Sequence, residues 1–68
     1  MYIVVEIDGF MVSPINDRGK PDRYSKPKLF KTMKSAEEWI LKHQYVGMSV
    51  RYEVRAISRV EIGYWERR

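Results

Sequence analysis

The sequence predicts a small α+β domain: an antiparallel sheet of three to five strands with one helix packed on a face, in the order β-β-loop-β-α-β(-β). Three observations carry that reading. β-branched and aromatic residues open the chain at Tyr2 to Ile7, and Asp8-Gly9 separates them from a second apolar run, Phe10-Met11-Val12. Ala36, Trp39, Ile40 and His43 stand at i, i+3, i+4 and i+7, which is one face of a helix. From Met48 to Tyr64 apolar and polar residues alternate with period two, the signature of a half-buried strand.

Taken in order, the first two apolar runs read as a hairpin, with Asp8-Gly9 as the central pair of a type I′ turn, where both residues need positive φ. Residues 13–28 hold all three prolines, together with Asn16, Asp17, Gly19 and Asp22. Proline removes backbone donors and Asn, Asp and Gly favour turns, so this stretch is a loop. Lys28 to Lys31 predicts a short strand in which Leu29 and Phe30 return the chain to the core. A helix follows over 33–46, with either Thr32 as N-cap or Ser35 and Glu38 as a capping box. Glu37 and Glu38 near its start and Lys42 near its end suit the helix dipole, and Gly47 is a terminator. The alternation over 48–64 is far longer than an ordinary strand of about five or six residues. It is one long bent strand or two strands joined near Ser58-Arg59.

The chain has 68 residues, no cysteine and one histidine. At this length a single domain (1–68) buries only about 60% of its unfolded surface, so its core is small. A 44% apolar and 13% aromatic composition nevertheless suits a folded domain. Without cysteine, thiol chemistry and cysteine-based zinc sites are excluded, and His43 alone cannot make a two-histidine metal site. No glycine-rich phosphate loop occurs. The neighbouring carboxylates Glu6 with Asp8 and Glu37 with Glu38 lead into a turn and start a helix, not a water-excluding cleft. The expectation is a non-enzyme without cofactor or metal. The opening residues carry Glu6 and Asp8 and lack a basic leader pattern, so the chain reads as soluble and cytoplasmic, with no membrane span.

Charge is distributed unevenly. Thirteen Lys and Arg against nine Asp and Glu give +4. Between Arg18 and Lys34 lie seven cations (Arg18, Lys20, Arg23, Lys26, Lys28, Lys31 and Lys34) and one anion, Asp22, so the remainder of the chain is slightly acidic. Such a segment attracts polyanions, either nucleic acid or an acidic protein surface. Tyr24 among the loop cations could stack on a base; the alternative is a solvated loop. On the last strand, Arg51 and Arg55 alternate with Glu53 as cross-strand pairs do, yet arginines on a rigid strand can also clamp a partner's carboxylates. The candidate partner- or nucleic-acid-binding residues are therefore Arg18, Lys20, Arg23, Tyr24, Lys26, Lys28, Lys31, Arg51 and Arg55.

Two local patterns resemble known families. Phe30-Lys31-Thr32-Met33-Lys34-Ser35-Ala36-Glu37-Glu38-Trp39 is similar to the strand-to-helix junction of the arm-binding domain of phage integrases, which implies DNA binding through the sheet. Gln44-Tyr45-Val46-Gly47 followed by Glu53-Val54-Arg55 resembles, in order, small phage-encoded inhibitors of bacterial RNA polymerase. That second likeness implies a protein that docks on a host machine and modulates it, with Arg55 and Arg51 gripping an acidic surface.

Overall fold

The N-terminal strand β1 (Tyr2–Asp8) forms the middle of a three-stranded antiparallel sheet, between β2 (Met11–Pro14) and β3 (Arg51–Ala56). The helix α1 (Met33–His43) follows the basic loop, precedes β3 in the chain and packs across a single face. This is the α+β arrangement expected, with a three-stranded sheet and the order β-β-α-β. The computed structural model describes residues 1–43 and 50–59.

Asp8 pairs with Met11, so the hairpin turn consists of Gly9 and Phe10, one residue later than the sequence predicts. Gly9 has φ +60° and among the described residues none other than glycine has a positive φ, so Phe10 does not, which is the pattern of a type II′ turn. A type I′ turn centred on Asp8-Gly9 would need an aspartate in the left-handed region. The turn formed needs only glycine there. The shift leaves Phe10 at the tip with its ring fully exposed (107%).

Successive side chains of a strand alternate between faces. Val4 of β1 faces the helix and is fully buried with Ile15, Phe30 and Ala36. Tyr2, Trp39, Ile40, Tyr52 and Val54 pack around them, and Val4 stands opposite Val54 in the register. Arg51, Glu53 and Arg55 alternate to the other face. The helical face read from the sequence is thus the one that packs, down to Ile40, while His43 is exposed.

Thr32 is the N-cap. Its Oγ1 accepts the Ser35 N–H at 3.1 Å, three residues on, and Met33 is the first helical residue. Glu37 and Glu38 therefore lie in the second turn and no acid occupies the first, so the dipole role expected of them is not met. Lys42 and His43 do occupy the last turn. Residues 44–46 of the predicted helix, and Gly47, lie outside the described residues.

The strand expected at Lys28–Lys31 shrinks to a single pairing. Phe30 N–H donates to Tyr2 O (2.8 Å) and Tyr2 N–H to Phe30 O (2.9 Å). The reason is competition for an edge. Ile15 N–H donates to Val4 O on the same side of β1, and β2 holds the rest, so only Tyr2 is left to pair. The long alternation over 48–64 also ends early, at Ala56. The β1–β3 register closes at Tyr2 opposite Ala56, with one further bond from Ile57 N–H to Met1 O, and Arg59 is already helical. The reading of 48–64 as one long strand through Arg59 is thereby corrected; the other reading, two strands joined near Ser58-Arg59, puts its second strand on residues 60–64, which with 48 and 49 lie outside the described residues. Ser13 and Pro14, expected in the loop, belong to β2.

Candidate interface: the hairpin tip and the basic loop

The loop between β2 and α1 is built on its own polar groups. Asn16 Oδ1 accepts from the backbone N–H of Arg18 (2.9 Å) and Lys20 (3.1 Å), and Gly19 N–H donates to Asn16 O. Gly19 has φ +77°, a left-handed conformation that glycine adopts without strain, and it packs beside Trp39, where a Cβ would make an ordinary contact of 3.6 Å with the indole. Asp22 N–H donates to Pro14 O at the end of β2 and Lys28 N–H to Ile15 O just after it, which ties the middle and the far end of the loop back to its start. Ile15 and Pro27 are fully buried beneath it. The cations thus project from a hydrogen-bonded scaffold.

Asp22, the one acid of the basic segment, is engaged inside the loop. Ser25 Oγ donates to its carboxylate at 2.5 Å and Tyr24 N–H at 2.9 Å. These bonds favour the charged form, the Ser25 bond most, and hold its carboxyl below the usual value of 3.8. A carboxylate whose folded pKa is depressed contributes stability above its unfolded pKa, and that contribution is lost as pH falls through the lower folded value. In an acid titration followed by NMR, the Tyr24 and Ser25 amide signals should therefore move with a midpoint below 3.8. A midpoint at or above it would show that the loop bonds are not formed in solution.

The nine candidate residues fall into groups. Arg18 and Lys26 line a shallow concavity of about 300 Å³ with Asn16, Asp17, Asp22 and Ser25, where two cations face two anions. Lys20 borders a second cleft, against Trp39 and Tyr52. Arg23 turns to the hairpin, its Nη1 3.8 Å from Met11 Sδ. Lys28 is half-buried with its Nζ 5.7 Å from the Phe30 ring centre, so its charge is partly spent on a cation–π contact. Lys31 and Lys34 stand exposed at the start of α1, and Tyr24 is 75% exposed. On β3, Arg51 and Arg55 both reach Glu53, at 3.6 and 3.5 Å. Among the described residues, Arg18, Lys20, Arg23, Lys31 and Lys34 make no ion pair. The cations therefore fan out from one scaffold; they do not line a single pocket, and the strand arginines occupy the face opposite α1.

Sequence reasoning did not identify the hairpin tip as part of a surface. Phe10, Met11 (53% exposed) and Val12 (38%) are exposed apolar side chains, and Arg23 reaches Met11. The signal was the apolar residue immediately after a glycine in a two-residue turn, where polar residues are usual. Among the described residues no three metal-ligating side chains gather, and no helix is long and apolar enough to cross a membrane. Set against family models, curated proteins and solved structures, the chain finds no match in any of the three, so its surface is what a functional reading must rest on.

Proposed function

We propose that this chain is a small non-enzymatic binding protein that docks on an acidic protein surface of a larger host machine, a nucleic-acid enzyme such as RNA polymerase, and modulates it. The observation that carries the reading is the contact between Arg23 and Met11, which joins the exposed Phe10-Met11-Val12 tip to the basic loop. Aromatic residues, Met and Arg are the types enriched in protein–protein interfaces and at their hot spots. A surface meant only for phosphates needs cations in a track and has no use for an apolar tip. The unpaired cations steer the encounter, and Phe10, Met11 and Arg23 supply the contact that persists. Arg51 and Arg55 add a second, weaker attraction for carboxylates from the sheet face. Phage-type takeover of a host enzyme is the setting this implies.

Nucleic acid is the second reading, favoured by the exposed Tyr24 beside Arg23 and Lys26. One capture experiment separates the two. Tagged protein is incubated with bacterial lysate, with and without nuclease, beside a Phe10→Ser/Arg23→Glu variant. The expected result is a protein retained in nuclease-treated lysate by the wild type and lost by the variant. Retention that disappears with nuclease, with log affinity for DNA falling against log salt by about 0.9 per phosphate neutralised, reassigns the surface to nucleic acid. Retention of nothing in either lysate rejects docking altogether.

A further inference from the structure

The second cleft has a chemistry that the docking surface does not use. It is about 220 Å³ in volume and lies between the end of α1, the middle of the sheet and the Gly19-Lys20-Pro21 turn. Three aromatic side chains line it. Trp39 and His43 are stacked at 4.2 Å, and Tyr52 meets Trp39 edge-on, with centroids 6.0 Å apart and planes at 79°. His43 is fixed there by its own backbone: Nδ1–H donates to Trp39 O at 2.8 Å. Glu6, half-buried and opposite Tyr52 in the register, and Val50 also line it. Among the described residues its carboxylate makes no hydrogen bond and no ion pair.

We propose that this cleft binds the head group of an organic cation, a quaternary or alkylated ammonium. A carboxylate set among aromatic rings attracts positive charge twice, by Coulomb interaction and through the ring quadrupoles. An anion entering it would meet the Glu6 carboxylate and the electron-rich ring faces, which repel it. A hard metal ion would need several oxygen ligands, and only one carboxylate is offered. Weakly hydrated alkylammonium groups lose little on leaving water, which suits a half-enclosed apolar site. The volume is below the roughly 300–1,000 Å³ of pockets for drug-sized molecules, so it fits a head group and not a whole large ligand. Lys20 stands at the rim as a tethered alkylammonium of the protein's own, and it competes with any cation entering.

The head group could belong to a free small molecule or to a methylated lysine of a protein, and three probes decide. Choline, capped trimethyllysine and the neutral choline isostere 3,3-dimethylbutan-1-ol are titrated into the full chain while the Trp39 indole and Tyr52 ring signals are followed by NMR. Saturable shifts with at least one cation are expected, with the isostere inert. Tighter binding of choline assigns a free ligand, and tighter binding of the trimethyllysine assigns a protein side chain. Glu6→Gln, which removes the Coulomb attraction, should weaken the cation at least about tenfold, and Lys20→Met should strengthen it. An isostere that saturates like the cations overturns the proposal, as does the absence of any shift at tens of millimolar. The isostere comparison uses the wild type, so it stands even if Glu6→Gln does not fold. Phe10→Ser/Arg23→Glu should leave these titrations unchanged, so failure here is separate from failure of the docking surface.

Discussion

Ile15→Ala should bring the domain to the edge of unfolding, with a loss of about 2–5 kcal/mol. Ile15 is 1% exposed and shares the core with Val4, Phe30 and Ala36. Shortening it opens a cavity beneath the basic loop, which little else can fill. A chain of this length has a total stability of roughly 3–10 kcal/mol, so this one side chain accounts for a large share of it. Position matters as much as volume. Ile15 donates its N–H to Val4 O and accepts from Lys28 N–H, so the residue that fills the core also anchors the loop. Urea denaturation followed by circular dichroism measures the change. Ile15→Val, which removes one methylene, should cost only about 1 kcal/mol. A loss of less than about 1 kcal/mol for the alanine variant would show that the site collapses without consequence, and that the loop is not seated on the core as described.

The second large effect is on docking. Arg23→Ala and Phe10→Ala should each weaken partner binding about thirtyfold, equivalent to roughly 2 kcal/mol, as truncated interface anchors do. Their folding stability should stay within about 0.5 kcal/mol of wild type, since both side chains are exposed. Arg55→Ala should cost less, because Arg55 already shares Glu53 with Arg51 on an open surface, where ion pairs are worth about 1 kcal/mol or less. Arg23 contacts Met11 next to Phe10, so the double variant should deviate from additivity. Titration calorimetry with the captured partner gives all four values. If Arg55→Ala proves the most damaging, the docking face is the sheet and not the hairpin.

The elements with strong local signals were legible in the sequence. The Tyr2–Ile7 run, the apolar face from Ala36 to Ile40 and the alternation around Tyr52 each fix their own periodicity, and each forms the element it predicts. The departures share one cause, which is that pairing is decided by a partner and not by the segment itself. Lys28–Lys31 has strand-like composition, but the edge of β1 beside it is already taken by Ile15 and β2. The alternation after Ala56 continues on paper, yet β1 begins at Tyr2 and offers nothing more to pair with. In the hairpin, Asp8 kept its place in the ladder and moved the turn one residue on, which brought Phe10 to the tip.

The same division holds for the candidate sites. Sequence by itself determined the α+β class, the lack of thiol and two-histidine chemistry within the chain, and the gathering of cations between Arg18 and Lys34, because these follow from composition and local order. Tertiary structure alone decided which cations stand unpaired, that Arg23 meets the hairpin, and that Glu6 of β1, Trp39 and His43 of α1 and Tyr52 of β3 line one cleft. Those residues lie as many as forty-six positions apart in the chain. Only the packing of a helix over a sheet, which buries apolar surface without regard to sequence distance, brings them together.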